Sequence, residues 1–138
     1  MKDILLEEIQ RLAATLSFGP EFRYWIIFCG LFSPERNPVK YWRDHEALFL
    51  ELVRQDGVRG GKQLLQTIVL FFTRKYPEMG KFAPNFMKLL YDQEFYDEDF
   101  IVKWFERKAK LDKTCALYDR KAEKIFRGLI EAFVNWLQ

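Results

Sequence analysis

The sequence predicts an all-α protein, and three observations support this prediction. Apolar residues recur at the three- and four-residue spacing of a helix face along most of the chain, whereas the alternation typical of strands is scarce. Turn-forming residues separate these periodic stretches, and the connections are short. A composition that is 49% hydrophobic and 17% aromatic over 138 residues suits one domain, residues 1–138, with a packed core. We therefore expect a stack of antiparallel helical hairpins with about seven helices, and a compact bundle is the alternative arrangement.

The predicted helices follow from apolar spacing and from the residues that flank each stretch. They are residues 3–16, 21–32, 38–53, 62–76, 82–92, 98–109 and 116–137. The first begins at Asp3, a candidate N-cap, and Gly19–Pro20 ends it. The second is apolar on most sides, so we expect it to be buried. Pro38 stands in the first turn of the third helix, where proline is favoured.

Glycine and proline also separate the later helices. Breaks are predicted at Asp56–Gly57 and at Gly60–Gly61, between the third and fourth helices. Pro77 ends the fourth helix. The last helix is predicted to be continuous to the end of its apolar pattern.

Composition and charge argue against several classes of protein. The formal net charge of +2 is too close to neutral to indicate a nucleic-acid partner. The two cysteines, Cys29 and Cys115, lie far apart, which disfavours a disulfide scaffold or a zinc site and fits a reducing compartment. No apolar run approaches the roughly 20 residues needed to span a bilayer, and the N-terminus carries acids where a signal peptide is basic. We expect a soluble cytoplasmic protein.

Residues typical of enzyme active sites are sparse. The single histidine, His45, lies between Asp44 and Glu46 on a predicted helix face, where a surface role is the common one. The stretch DGVRGGKQ lacks the Gly and the Ser or Thr of a phosphate loop at the positions held by Asp56 and Gln63. We therefore predict a protein that is not an enzyme and that has no metal and no cofactor.

Acids and large aromatics alternate in residues 89–106, LLYDQEFYDEDFIVKWFE, and no basic residue interrupts residues 89–102. Asp97 stands at an N-cap position and Glu98 and Asp99 follow in the first turn, where the helix dipole favours acids. Asp92 and Glu94 lie near the C-terminal end of the preceding helix, where the dipole disfavours them. These two acids indicate a surface that carries negative charge for a basic partner.

The aromatics of this stretch divide into two predicted groups. Trp104 falls at helical spacing from Phe100, Ile101 and Phe105, so we expect one buried stripe. The residues expected to flank the acids and pack on lysine stems are Tyr91, Phe95 and Tyr96.

A basic region follows the acids, over residues 103–127. Its candidates for a second, basic surface are Lys103, Arg107, Lys108, Lys110 and Lys113. An ordinary solvated face is the simpler interpretation, and no stacking motif supports an RNA-binding role.

Two segments resemble the aromatic and acidic boxes of the two-tryptophan domain. The first box spans residues 89–106, and its matching residues are Leu90, Tyr91, Asp92, Glu94, Asp97, Glu98, Asp99, Ile101, Trp104 and Glu106. The second spans residues 130–138, and its matching residues are Glu131, Phe133, Trp136 and Leu137. Such domains close eukaryotic translation initiation factor 5, the catalytic epsilon subunit of initiation factor 2B, and the factor-5-mimic proteins.

The resemblance implies a HEAT-like stack of helical hairpins and a binding function. In the family, the boxes bind lysine-rich segments in the N-terminal tail of the beta subunit of initiation factor 2, and in factor 5 the domain also assembles initiation factors 3, 1 and 1A. The candidates for lysine contacts here are Asp92, Glu94, Asp97, Glu98, Asp99, Glu106 and Glu131. The residues expected to hold the boxes in place are Tyr91, Trp104, Phe133 and Trp136.

Among family members, the resemblance favours the C-terminal domain of factor 5, acting as a non-catalytic binding module. The alternatives are the epsilon subunit of factor 2B, which exchanges guanine nucleotide on initiation factor 2, a factor-5 mimic, and a HEAT-like scaffold with unrelated partners. For the basic region we expect contact with an acidic surface of another initiation factor. Two departures are Ala132, where proline is common, and the stop at Gln138, before the glutamate run of the relatives.

Overall fold

The computed structural model describes residues 22–32, 37–111 and 117–138. These residues form seven α-helices and no strand, which confirms the predicted all-α class. The helices are α1 (Phe22–Leu31), α2 (Pro38–Asp56), α3 (Val58–Leu70), α4 (Ala83–Asp92), α5 (Glu98–Phe105), α6 (Arg120–Leu129) and α7 (Glu131–Leu137). A π-helical turn (Phe71–Lys75) and a 3₁₀ helix (Pro77–Phe82) join α3 to α4. The helix predicted over residues 3–16 lies outside the described residues.

Helices α2 and α3 meet at a single glycine. The Asn37 side chain caps α2 by accepting a hydrogen bond from the Val39 N–H at 2.8 Å. At the other end Gly57 has a φ of 69°, which favours glycine, and its N–H donates to the Val53 carbonyl at 2.8 Å. The predicted second break at Gly60–Gly61 is wrong, because both residues lie inside α3.

Gly60 has a packing role instead of a turn role. It is buried, and a Cβ placed on it would lie 2.6 Å from both the Tyr24 hydroxyl and the Asp56 Cβ. The missing side chain therefore lets α3 approach α1 and the end of α2 closely.

An aromatic core joins the N-terminal helices to the rest of the domain. The fully buried ring of Phe28 contacts those of Tyr41, Phe71 and Phe86, with centroids 5.4, 4.7 and 6.0 Å away. Helix α3 packs on α1, α2 and α6, and α4 packs on α2, α6 and α7. The segment that contains the first box thus stands on a well-packed base.

The predicted last helix, residues 116–137, divides into two within its described part. Ile130 leaves the helical conformation with φ −100° and ψ 7°, and it is fully buried. The chain turns there, so that α7 packs on α4, α5 and α6. The second box therefore lies against the helices of the first, although a continuous helix was expected.

Candidate partner-binding surface

The first box forms a helix–turn–helix unit made of α4, the turn at residues 93–97, and α5. Asp97 caps α5 as predicted, since its carboxylate accepts a hydrogen bond from the Phe100 N–H at 2.8 Å. Gln93 ties the turn to α2, because the Trp42 indole N–H donates to its Oε1 at 2.8 Å and its amide donates to Glu46. The turn that carries the acids is therefore tied to α2 by two hydrogen bonds.

Helix α4 ends in a Schellman motif whose left-handed position is occupied by Glu94. The Glu94 N–H donates to the Tyr91 carbonyl and the Phe95 N–H to the Leu90 carbonyl, both at 3.0 Å. Glu94 has a φ of 64° and its side chain is exposed. Glycine is usual at this position, so a glutamate there costs stability that no described contact of its carboxylate recovers.

Three of the predicted acids already have a lysine partner. Asp92 pairs with Lys88 at 3.0 Å, Asp99 with Lys103 at 3.0 Å, and Glu106 with Lys108 at 2.9 Å. All six side chains are substantially exposed, so each pair contributes only about 0–1 kcal/mol. Asp92 lies near the C-terminal end of α4, where the dipole disfavours an acid, and no local partner for it was predicted from the sequence. Lys88, one helical turn earlier, is that partner.

The other acids differ in whether their carboxylates already have a hydrogen-bond or ion-pair partner. Asp97 is engaged as the N-cap of α5. Glu94, Glu98 and Glu131 are exposed and have no ion pair with another described residue. The exposed acids of residues 89–106, with Glu131 and Trp136, are called the box surface below.

Trp104 is buried, as the sequence predicted, and it belongs to a polar network that was not predicted. Its side chain is 0% exposed and its indole N–H donates to Glu123 Oε1 at 3.0 Å. The Arg127 guanidinium lies 4.7 Å from the ring centroid, donates from Nε to the Trp104 carbonyl at 3.2 Å, and pairs with Glu123 at 3.4 Å. Burial lowers the pKa of Arg127 from its ordinary value, although Glu123 opposes this effect.

Glu123 and Arg127 both lie in the basic region, residues 103–127, and the sequence did not predict a particular role for either. Their four-residue separation on a helix was the one available signal that they form a pair. Trp104 joins Glu123 and Arg127 through tertiary packing of α5 on α6, and residue spacing along the chain cannot predict such a contact.

The second box packs on the first through Phe133. This ring is buried and lies 6.3 Å from that of Tyr91, which is half-buried. Trp136, by contrast, is 62% exposed, so the prediction that it helps hold the box from within is wrong. Its indole stacks only on the edge of the core, 6.2 Å from Phe133, because α7 is short and its outer side faces solvent.

Two of the aromatic residues that were predicted to pack on the aliphatic stems of bound lysines pack in the core instead. Tyr96 is buried, its hydroxyl donates to the Gly61 carbonyl, and burial raises its pKa well above the usual value. Phe95 is half-buried with its ring 5.3 Å from Trp42. The exposed aromatic beside the acids is Trp136.

The predicted basic surface separates into different environments. Lys103 and Lys108 pair with acids of the first box, as described above. Arg107 and Lys110 line a cavity of about 780 Å³ between the end of α5 and the first turns of α6. Lys113 lies outside the described residues.

Within the described ranges there is no group of three or more His, Cys, Asp or Glu residues arranged to hold a metal ion. None of the helices described is long and apolar enough to cross a membrane.

Comparison with known proteins gives one family. The model described as W2: eIF4-gamma/eIF5/eIF2-epsilon matches residues 61–138, which is more than half of the 138-residue chain and includes both boxes. Searches of curated proteins and of solved structures returned no match.

Proposed function

The chain belongs to the W2 family (eIF4-gamma/eIF5/eIF2-epsilon), and on this basis we propose that its box surface binds a lysine-rich segment of a translation factor. W2 domains are protein-interaction modules of translation factors. The binding is non-catalytic and requires no cofactor, because it consists of contacts between carboxylates, an exposed indole and lysine side chains.

The observation that carries this proposal is the position of Lys88. Its ammonium lies 5.5 Å from the ring centroid of Trp136 and 3.0 Å from Asp92 Oδ2. One lysine thus engages an indole face and a carboxylate at the same time, which is the combination a lysine-rich ligand needs. A lysine of the partner would replace Lys88 at this position.

The remaining carboxylates supply further contacts. Glu94, Glu98 and Glu131 are free for an incoming lysine, and the exposed pairs of Asp99 and Glu106 are weak enough to exchange partners. Each contact is worth about 0–1 kcal/mol, so affinity depends on several at once and falls as salt rises. A disordered basic tail meets this requirement because it can adapt to a rigid acidic surface.

For the finer identity we propose the C-terminal domain of initiation factor 5, with the lysine-rich tail of the initiation factor 2 beta subunit as ligand. On this proposal the domain works in the cytoplasm as a HEAT-like stack of hairpins, and initiation factors 3, 1 and 1A are further partners. The order and spacing of the two boxes support it.

The epsilon subunit of factor 2B carries a domain of the same family, so guanine-nucleotide exchange is the alternative activity, and a factor-5 mimic is a second alternative. A nucleotide-release assay on initiation factor 2 separates the exchange activity from simple binding. Stimulated release by the isolated chain would favour the epsilon assignment.

The first test of the box surface uses Glu94→Gly. Glycine relieves the left-handed residue, so we expect the free energy of unfolding to rise by about 0.5–1 kcal/mol while affinity for a synthetic lysine-rich peptide falls severalfold. Arg107→Gly is the matched control, because it relieves the same strain at the end of α5, where φ is 65°, and removes a positive charge instead. Equal peptide affinity in Glu94→Gly and the parent, by calorimetric titration, would contradict the role of Glu94.

The second test removes the internal competitor. Lys88→Ala vacates Asp92 and Trp136, so we expect tighter peptide binding by up to about fivefold, the equivalent of one exposed ion pair. Relative to Trp136→Ala alone, Lys88→Ala/Trp136→Ala should gain less than Lys88→Ala gains over the parent, because only the Asp92 contact is then vacated, whereas a pure charge effect of removing Lys88 would be the same in both backgrounds. Weaker binding by Lys88→Ala would show that the lysine site is misassigned.

A further inference from the structure

The cavity between the end of α5 and the first turns of α6 is lined mainly by positive side chains. Its basic residues are Arg107, Lys110, Arg120, Lys121, Lys124 and Arg127, and this cavity is called the basic cleft. Its volume of about 780 Å³ lies within the range of small-molecule sites, roughly 300–1,000 Å³.

The positive charge of the basic cleft is not neutralised by the described parts of the chain. Glu123 is the one acid among the described lining residues, and its carboxylate already accepts from Trp104 and Arg127. The other five cations form no ion pair with a described residue. Like charges gathered around one concavity repel each other, so the arrangement favours an anion between them.

The backbone conformation of Arg107, a lining residue of the basic cleft, independently supports an anion site there. The Arg107 N–H donates to the Trp104 carbonyl at 3.0 Å and the Lys108 N–H to the Lys103 carbonyl at 2.7 Å, which forms a second Schellman motif. Arg107 has a φ of 65° and an exposed side chain. A residue held in this conformation where glycine is easier points to a use for its side chain.

Arg127 gives the cleft a fixed donor group. Its side chain is 15% exposed and is held by the Trp104 ring, the Trp104 carbonyl and Glu123. A guanidinium that is already oriented loses little freedom when it binds, and its planar geometry matches phosphate oxygens.

We propose that the basic cleft binds a compact polyanion that carries clustered phosphate groups. The cations converge on one cavity from two helix ends, which suits a compact ligand better than an extended acidic peptide. Single-stranded RNA is a poorer match, because Tyr118 is the one aromatic ring in the described lining. The proposal does not depend on the box surface or its partner.

The test uses inorganic tripolyphosphate as the probe, in calorimetric titrations of the chain at about 150 mM salt, where distant charges are screened. We expect saturable binding with one site. Arg107→Gly and Lys124→Gln should each weaken it about fivefold, the effect of one partly exposed charge contact. Arg107→Gly should do so with a Tm at or above that of the parent, which separates lost binding from lost folding.

The control variants are Lys40→Gln and Arg59→Gln, which remove exposed cations outside the cleft, together with Glu94→Gly. They should leave tripolyphosphate binding unchanged. Equal weakening by Arg59→Gln, or no saturable binding, would overturn the proposal. A glutamate-rich peptide or a single-stranded RNA that binds more tightly than tripolyphosphate, with the same sensitivity to Lys124→Gln, would overturn the assignment to phosphates. Inositol hexakisphosphate and vesicles that carry a phosphorylated inositol lipid then separate a free ligand from a membrane headgroup.

Discussion

Replacing Glu123 with Ala would remove the acceptor on which two donors of the Trp104 network depend. The Trp104 N–H, 0% exposed, would lose its partner at 3.0 Å, which costs about 1–3 kcal/mol. The Arg127 charge would lose its ion pair while 15% exposed, and breaking a buried pair costs about 3–5 kcal/mol. Since Arg127 keeps its bond to the Trp104 carbonyl, we expect a total loss near the lower value, about 3–4 kcal/mol.

Urea denaturation followed by circular dichroism and tryptophan fluorescence measures this loss. Glu123→Gln is the matched control, because it keeps an oxygen acceptor for the Trp104 N–H and removes only the charge. It should cost about 1–2 kcal/mol. A loss below about 1 kcal/mol for Glu123→Ala would refute the view that this network stabilises the domain, since an unpaired buried charge alone should exceed it.

Two further predictions concern the helix ends and the helix contacts. The pKa of Asp119 is lowered by its hydrogen bonds from the Arg74 guanidinium and the Ala122 N–H. The carboxylate of Asp119 therefore stabilises the fold fully above the unfolded pKa of about 3.9, and this stabilisation is lost as pH falls through the folded pKa. Asp119→Ala should therefore cost about 1–2 kcal/mol at pH 7 and progressively less in acid, when urea denaturation is compared at both pH values. Gly60→Ala should destabilise by about 1–3 kcal/mol through its 2.6 Å overlaps, whereas Gly128→Ala, with nothing within 4 Å of its added Cβ, should stabilise by about 0.5–1 kcal/mol in the same assay.

Features set by neighbouring residues could be predicted from the sequence. The N-cap at Asp97 depends on residues one turn apart, and the burial of Trp104 follows from its helical spacing. Both are confirmed. The lysine partner of Asp92 is also local, four residues away, and was within reach of the same argument.

Features set by tertiary contacts could not be predicted in this way. The glycine pair at Gly60–Gly61 was interpreted as a break, but Gly60 serves the close approach of α1 and α3. No proline marks the turn at Ile130, and the nearby Gly128 lies inside α6, so the apolar pattern appeared continuous. The resemblance implied that Trp136 holds the second box in place, whereas its exposure depends on where α7 packs on α4 and α5.

The left-handed residues Glu94 and Arg107 carry no sequence signal at all, because the usual glycine is absent. Each closes a Schellman motif, one after α4 and one after α5, and each presents an exposed charge of opposite sign. We expect replacement by glycine at either position to raise the free energy of unfolding while it removes a charge that the two proposals assign to binding. The pair therefore separates folding from binding more sharply than any alanine variant.

Helix α5 links the two charged surfaces and also sets their separation. Its eight residues span about 12 Å, with Asp97, Glu98 and Asp99 at its N-terminal end and with Glu106 and Arg107 just beyond its C-terminal end. This length exceeds the Debye length of about 8 Å at physiological ionic strength, so exposed charges at the two ends are largely screened from each other. Trp104, near the end of α5, also belongs to the network that fixes Arg127 at the floor of the basic cleft. Helix α5 therefore connects the surface that we propose for a basic tail with the cleft that we propose for a phosphate-bearing ligand, and Glu106 is the acid of the box surface that adjoins Arg107.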